Sequence, residues 1–360
     1  MEVNLAKKEQ KQSKNRPNIT YLKDLSQNSY SQELLDNVFT VFKSINNDII
    51  YLVYANIEKS IIYYNLVNFH IINEIKNAHK MNISNIRHFL DKANKRELIL
   101  SVSAQDCNIK IWDINNWKCL LNIGKIYDEG FLYSACCLKD NNEIYIATSH
   151  NSRKCSEYIK IYNLNGNKQK EIYESDDQTF FIDSFYDTKL SKNFIITGNF
   201  ECVKSFDYKN NRLYFEYCDK QNCRSAHTSL IIDKKDGIIR LIESSLAGYI
   251  RIWNFHTGIL LNRISSNRGI RCICLWNDEY LFVGMDQGMI KLLELNSQKF
   301  KFIKEFQIYS PFNNDEVLNF NGNFGNHILT IKKIIHPTYG ECLIFQGNDK
   351  NQIKIYINEV

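Results

Sequence analysis

Ile109-Lys110-Ile111-Trp112-Asp113-Ile114 is the stretch on which the fold turns. Apolar and polar residues alternate through it, as along a β-strand, and it ends in an aromatic followed by a turn-forming Asp. A second copy stands at Ile250-Arg251-Ile252-Trp253-Asn254-Phe255. Weaker copies are Ile159-Lys160-Ile161-Tyr162-Asn163-Leu164 and Ile353-Lys354-Ile355-Tyr356. Ile61 to Leu66, Val203 to Tyr208 and Ile290 to Leu295 keep the same frame. The anchor position reads Tyr64, Trp112, Tyr162, Phe206, Trp253, Leu293 and Tyr356, six of them aromatic. Their spacings are 48, 50, 44, 47, 40 and 63 residues. All but the last approach the ~40–45 residues of a four-stranded propeller blade.

Each copy also has the same surroundings: two apolar runs, a short turn, the anchor strand, then a fourth strand. In the second copy these are residues 83–90, 97–103, 108–114 and 118–123; in the fifth, 226–233, 238–245, 248–255 and 259–264. Helical periodicity is confined to residues 26–38. Many short strands at a regular period predict an all-β array. A blade has neighbours on both faces, so Ile109 and Ile111 are expected on one and Trp112 on the other. Two residues before the anchor stands Lys110, Lys160, Lys204, Arg251, Lys291 or Lys354 in six copies. We read that cation as structural, its stem packed and its charge at a polar edge.

These hexamers resemble the WD40 repeat family, most directly at Trp112-Asp113, and the resemblance runs over about residues 19–358. It implies a seven-bladed β-propeller of four-stranded antiparallel blades. It also implies a Gly-His pair before the first strand and an Asp in the second-to-third strand turn. Here the pair survives as Ala78-His79 and Ala226-His227, and the Asp in register only as Asp106. The family's His–Ser–Asp–Trp hydrogen-bond network is therefore expected in the second repeat alone, from His79, Asp106 and Trp112. The sequence ends four residues past Tyr356, so the seventh blade lacks a fourth strand of its own. Residues 19–25 are expected to supply it, closing the ring and covering a sheet edge.

Length and charge fit one ring behind a short tail. At ~150 residues per domain, 360 residues suggest two domains; the repeat count replaces that with a single propeller over 19–360. Residues 1–18 read as a disordered basic tail. Five of the first sixteen residues are basic and two acidic, so this segment holds +3 of the net +5. The remaining +2 argues against a duplex-DNA binder, and no nucleic-acid partner is expected. Residues 1–18 hold no apolar stretch, so no secretory leader is expected, and no apolar run reaches spanning length. The 11 cysteines follow no framework and read as reduced thiols in the cytoplasm or nucleus. Cys272 and Cys274 would share one strand face and Cys136 and Cys137 oppose each other. Cys218, Cys223 and His227 have a loosely metal-like spacing without a second Cys pair, so no metal is assigned.

No phosphate-binding loop, nucleophile elbow or His-x-x-x-His pair occurs, and no catalytic residue or cofactor is assigned. The paired-arginine motif of lipid-binding propellers is also missing. What remains is recognition of other proteins by loops on a rigid ring. The expected contact residues are Arg153, Lys154, Arg224, Arg268, Gln287, Tyr309, Phe312 and Phe320. All should lie on the face formed by the fourth-to-first and second-to-third strand connections. The chain reads as a non-enzymatic scaffold, monomeric by itself, within a larger intracellular assembly. The alternatives are an enzyme or small-ligand sensor using the central channel, and a peripheral lipid-head-group binder using the tail.

Overall fold

The computed structural model describes residues 17–25, 39–56, 58–92, 94–127, 130–151, 157–175, 178–219, 225–295, 300–308, 327–347 and 353–358. Seven four-stranded antiparallel sheets make up the ring. After β1 (Ile19–Leu25), blade 1 is β2 (Phe39–Lys43), β3 (Ile50–Ala55), β4 (Ile61–Asn65) and β5 (His70–Ile75). Blade 2 is β6 (Asn85–Asp91), β7 (Arg96–Ser103), β8 (Asn108–Asp113) and β9 (Cys119–Ile123). Blade 3 is β10 (Phe131–Asp140), β11 (Glu143–Asn151), β12 (Glu157–Asn163) and β13 (Lys168–Ser175). Blade 4 is β14 (Phe181–Asp187), β15 (Lys192–Gly198), β16 (Val203–Asp207) and β17 (Arg212–Tyr217). Blade 5 is β18 (His227–Lys235), β19 (Ile238–Ser245), β20 (Tyr249–Asn254) and β21 (Leu260–Ser265). Blade 6 is β22 (Ile270–Asn277), β23 (Tyr280–Met285), β24 (Met289–Glu294) and β25 (Lys301–Gln307). Blade 7 is β26 (Ile328–His336), β27 (Gly340–Gly347) and β28 (Ile353–Asn358). The strands of the second and fifth repeats fall within two residues of their expected bounds. Residues 26–38, read as helical, lie outside the described residues.

The innermost strands β2, β6, β10, β14, β18, β22 and β26 each touch the next, and β26 touches β2. β1 is the fourth strand of blade 7: Ile19 pairs with Asn358 and Leu25 with Ile353. Residues 19–25 thus close the ring as expected.

The core is not central. It consists of seven apolar layers, one between each pair of blades. Ile109 and Ile111 pack with Leu132, Ala135 and Ile146 of blade 3, whereas Trp112 packs with Val53, Ile61 and Tyr63 of blade 1. Every anchor side chain faces the preceding blade in this way. Tyr162 reaches blade 2, Phe206 blade 3, Trp253 blade 4, Leu293 blade 5, Tyr356 blade 6 and Tyr64 blade 7. A wide ring at that position fills the space between two twisted sheets, where each large apolar group contributes about 1.5–3 kcal/mol.

The cation two residues earlier holds the incoming chain. Lys110 Nζ donates to Ala78 O (2.5 Å), Lys160 to Ile126 O (2.9 Å), Lys204 to Glu174 O (2.9 Å) and Lys354 to Ile308 O (3.2 Å). Each acceptor lies at or just after the end of the preceding blade's outer strand. Lys291 instead pairs with Glu305 across the sheet at 2.6 Å.

In blade 2, Ser101 Oγ accepts from Trp112 Nε1 at 2.8 Å and lies 2.7 Å from His79 Nε2. Asp106 Oδ1 and His79 Nδ1 have no hydrogen-bond partner, so Asp106 does not complete the expected set. Elsewhere the position of Ser101 is filled by Thr148 or Glu243, and that of His79 by Tyr127 in blade 3 and by a His in blade 5. In blade 3, Tyr127 OH lies 3.0 Å from Thr148 Oγ1. In blade 5, His227 Nδ1 lies 3.0 Å from Glu243 Oε2, and Arg251 Nη1 donates to Glu243 Oε1 at 2.7 Å.

Burial holds the His79 imidazole neutral, with help from the Lys110 charge, pushing its pKa down to about 3; burial pushes His88 down to about 4. Below about pH 6.5 the unfolded chain binds protons at both sites that the folded chain refuses. Stability is therefore intact above that pH and falls as the pH drops towards the folded values. At pH 5 the loss is expected to reach ~2 kcal/mol per site. Urea midpoints at pH 5 and 7.5 test this, and His79→Asn should roughly halve the difference between them.

Asx residues right after the anchors shape the turns that follow. Asn65, Asp113, Asn163, Asp207 and Asn254 each accept, through Oδ1, from the backbone N–H two residues on. Thirteen described non-glycine residues have positive φ, among them Lys59, Phe69 and Trp117, so the scarce glycines are kept for tighter places. Gly248 is one: its φ is +82°, and a Cβ there would stand 2.6 Å from Arg268 O.

Candidate interaction face

The second-to-third and fourth-to-first strand connections emerge at the same end of the ring. Blades 3 and 4 present an aromatic ribbon there. Phe131 opens β10 and Tyr133 follows two residues later; Phe180 leads into β14, and Phe200 sits in the β15–β16 turn. Successive ring centroids are 6.0, 6.4 and 4.6 Å apart. Phe131 is 45% exposed, while Phe180 is buried beneath its neighbours. Asn199 fixes the turn, its Oδ1 accepting from the N–H groups of Glu201 (2.8 Å) and Cys202 (2.9 Å). The next connection is tied to it: Ser225 N donates to Phe200 O at 3.0 Å.

Blades 5 to 7 give the same end a polar sector. The β21–β22 connection carries Arg268 and the β23–β24 turn carries exposed Gln287; Asp286 N donates to Gly269 O (3.1 Å), placing the two loops side by side. A Cβ on Gly269 would meet Asp286 Oδ2 at 2.5 Å and Leu246 O of the β19–β20 turn at 2.9 Å, so three connections crowd together here. Arg271 Nε donates to Asp286 Oδ1 at 2.6 Å, and His327 Nδ1 lies 2.8 Å from the same oxygen. Burial pushes the Asp286 carboxyl up, but these two partners outweigh it and leave its pKa below the ordinary value. The structure thus brings Arg268 and Gln287 together on the expected face. Arg153, Lys154, Arg224, Tyr309, Phe312 and Phe320 lie outside the described residues. Reading the sequence missed Phe131, Tyr133, Phe180 and Phe200. Aromatics at the start of a first strand were the available signal.

The central channel holds a cavity of about 370 Å³ lined by the inner strands. Arg87 crosses it to Asp183 at 3.1 Å and also donates to Ser134 Oγ at 3.2 Å. Lys332 projects into the same lining as Cys272 and Cys274. Burial pushes the Lys332 ammonium pKa down and that of the Cys274 thiol up to about 11. Among the described residues, no three His, Cys, Asp or Glu side chains are placed to hold a metal; His227 is engaged by Glu243. No helix of the described residues is long and apolar enough to cross a membrane.

No protein-family model matches the chain, and no curated protein matches it. Solved structures do. The chain is similar to Raptor from Chaetomium thermophilum at 14% identity and a TM-score of 0.67, covering 98% of this chain and 30% of that one. It is similar to a chain of the mitotic checkpoint complex at 9% identity and a TM-score of 0.71, covering 96% of this chain and 97% of that one. Ring and likenesses agree on the fold: a seven-bladed β-propeller. At these identities the likenesses carry the fold alone.

Proposed function

We propose that this propeller is a non-catalytic protein-interaction scaffold, a subunit of a larger intracellular assembly, and that it grips its partner with the face bearing the aromatic ribbon. The observation that carries the reading is the contiguous run of rings from Phe131 to Phe200, partly exposed on a rigid two-blade support. Aromatic anchors of that kind dominate binding energy at interfaces. Both similar solved structures come from proteins whose fold serves within a larger chain or complex, which supports the same reading. The polar sector at Arg268 and Gln287 would form the rim of the contact.

Affinity purification from cells of its source, under reducing conditions, tests this with Phe131→Ser/Tyr133→Ser beside the unaltered protein. Partners recovered by the unaltered chain should fall at least about tenfold with the double variant, as expected when two anchors are truncated. Equal recovery by both would sink the assignment of this face, and a solitary protein throughout would sink the scaffold reading.

One observation favours a second reading, a small-ligand sensor in the channel: half-buried Lys332 faces a cavity large enough for a metabolite. A screen of small anions by thermal shift, with Lys332→Met as control, would decide it.

A further inference from the structure

Cys202 and Cys218 stand apart from the other described cysteines. β16 and β17 pair antiparallel with Val203 opposite Tyr217. The next rung outward sets Cys202 directly across from Cys218. Opposed Cα atoms on such a ladder are ~4.5–5.5 Å apart, within the ~4.4–6.8 Å that a disulfide spans. The two sulfur atoms are within hydrogen-bonding reach of each other. One partner is open to solvent and the other is not: Cys218 is exposed, and Cys202 is 3% exposed.

We infer that Cys202 and Cys218 are an oxidative modification site, a cross-strand thiol pair that closes to a reversible disulfide, with Cys218 meeting the oxidant and Cys202 resolving it. The oxidant class is a peroxide. The Cys218 thiolate attacks one peroxide oxygen, the O–O bond breaks, and hydroxide leaves to be protonated to water. Cys218 is then a sulfenic acid. The Cys202 sulfur attacks the Cys218 sulfur, an S–S bond forms, and the hydroxyl leaves with the Cys202 proton as water. Two thiols and one hydrogen peroxide become one disulfide and two waters. Two thiols of a cellular dithiol or of glutathione reverse the step.

The electrostatics favour this order. The hydrogen bond from Cys202 lowers the Cys218 pKa, with help from the Lys204 charge, while the same bond and burial raise that of Cys202. Burial raises the thiols of Cys107, Cys136, Cys137, Cys272, Cys274 and Cys342. Exposed Cys119 is raised too. The sulfurs of Cys272 and Cys274, two apart on one strand, are spaced too widely for an easy bridge. The closed disulfide would tie β17 to the root of the turn that carries Phe200.

The test uses the full chain with stoichiometric hydrogen peroxide, followed by alkylation, trypsin and mass spectrometry. Cleavage after Lys192, Lys204, Arg212 and Lys220 leaves each cysteine on its own peptide, residues 193–204 and 213–220. The expected product is those two peptides joined, two hydrogens lighter than their sum and separated again by dithiothreitol. In Cys202→Ser, dimedone should trap a sulfenic acid at Cys218. Without oxidant, Cys218 should be alkylated at least about tenfold faster than Cys272 or Cys342. Oxidation that first joins Cys218 to Cys223 or to a second chain would overturn the inference. So would a pair that stays fully alkylatable while other cysteines oxidise.

Discussion

Deleting residues 1–25 is expected to remove a large share of the protein's stability and to leave a chain that associates, whereas deleting residues 1–16 should leave the urea midpoint where it was. The difference is β1. Its ends, Ile19 and Leu25, are buried at 6% and 8% exposure, and Tyr21 meets Tyr356 edge-on at 5.6 Å. Reburying two such aliphatic groups is worth ~3–6 kcal/mol, against typical net stabilities of ~5–15 kcal/mol. The loss is larger still because β28 becomes an open edge, with Ile353 and Ile355 uncovered beside unpaired backbone groups. Urea unfolding with light scattering reads both consequences. Equal midpoints for the two truncations would show that the ring holds without its closing strand.

The second large effect is expected at Glu243. This carboxylate is fully buried between His227 and Arg251, and Arg251 reaches on to Asp219 at 3.2 Å, which Arg263 also contacts at 3.1 Å. Glu243→Leu leaves Arg251 buried with its nearest counter-charge gone, a loss of ~3–5 kcal/mol. Adding Arg251→Met should restore most of it, because Asp219 keeps Arg263 and the apolar pair fills the space. Burial pushes the Glu243 pKa up, but the charges and hydrogen bonds of His227 and Arg251 outweigh it, so the folded value is below 4.5. The stability it contributes is thus present above about pH 4.5 and lost as the pH falls through that lower value. Denaturant titrations of the single and double variants check the sign and the size. A single variant as stable as the parent would mean that Arg251 finds another anion.

The anchors could be read from the sequence because one position does one job in every blade: Trp112, Tyr162 and Phe206 all fill the gap towards the blade before. Closure by residues 19–25 was readable for a similar reason, since an unpaired outer strand has to be supplied from somewhere. The hydrogen-bonded sets of blades 3 and 5 were not. Tyr127 stands in the place of a His and Glu243 in that of a Ser, so their chemistry changed while their geometry stayed. In blade 2, the reverse holds: Asp106 keeps its register and makes no bond to His79 through Oδ1. The aromatic ribbon was hidden for another reason. Phe131, Tyr133 and Phe180 look like ordinary strand residues, and only the direction in which their strands run decides that they surface at one end of the ring. Of the expected contact residues, Arg268 and Gln287 lie in a fourth-to-first and a second-to-third connection, where strand order alone puts them.

The lysine links have a bearing on how little text this architecture needs. A four-residue network must specify four side chains in each blade, and losing one orphans the others. Lys110, Lys160, Lys204 and Lys354 do part of the same task with one side chain each, because the acceptor is a peptide carbonyl that every residue carries. Ala78, Ile126, Glu174 and Ile308 share no chemistry except that carbonyl. The connections between blades are therefore free to vary in composition without loosening the ring, and a surface built on them can be rewritten for a new partner at small cost to the scaffold beneath.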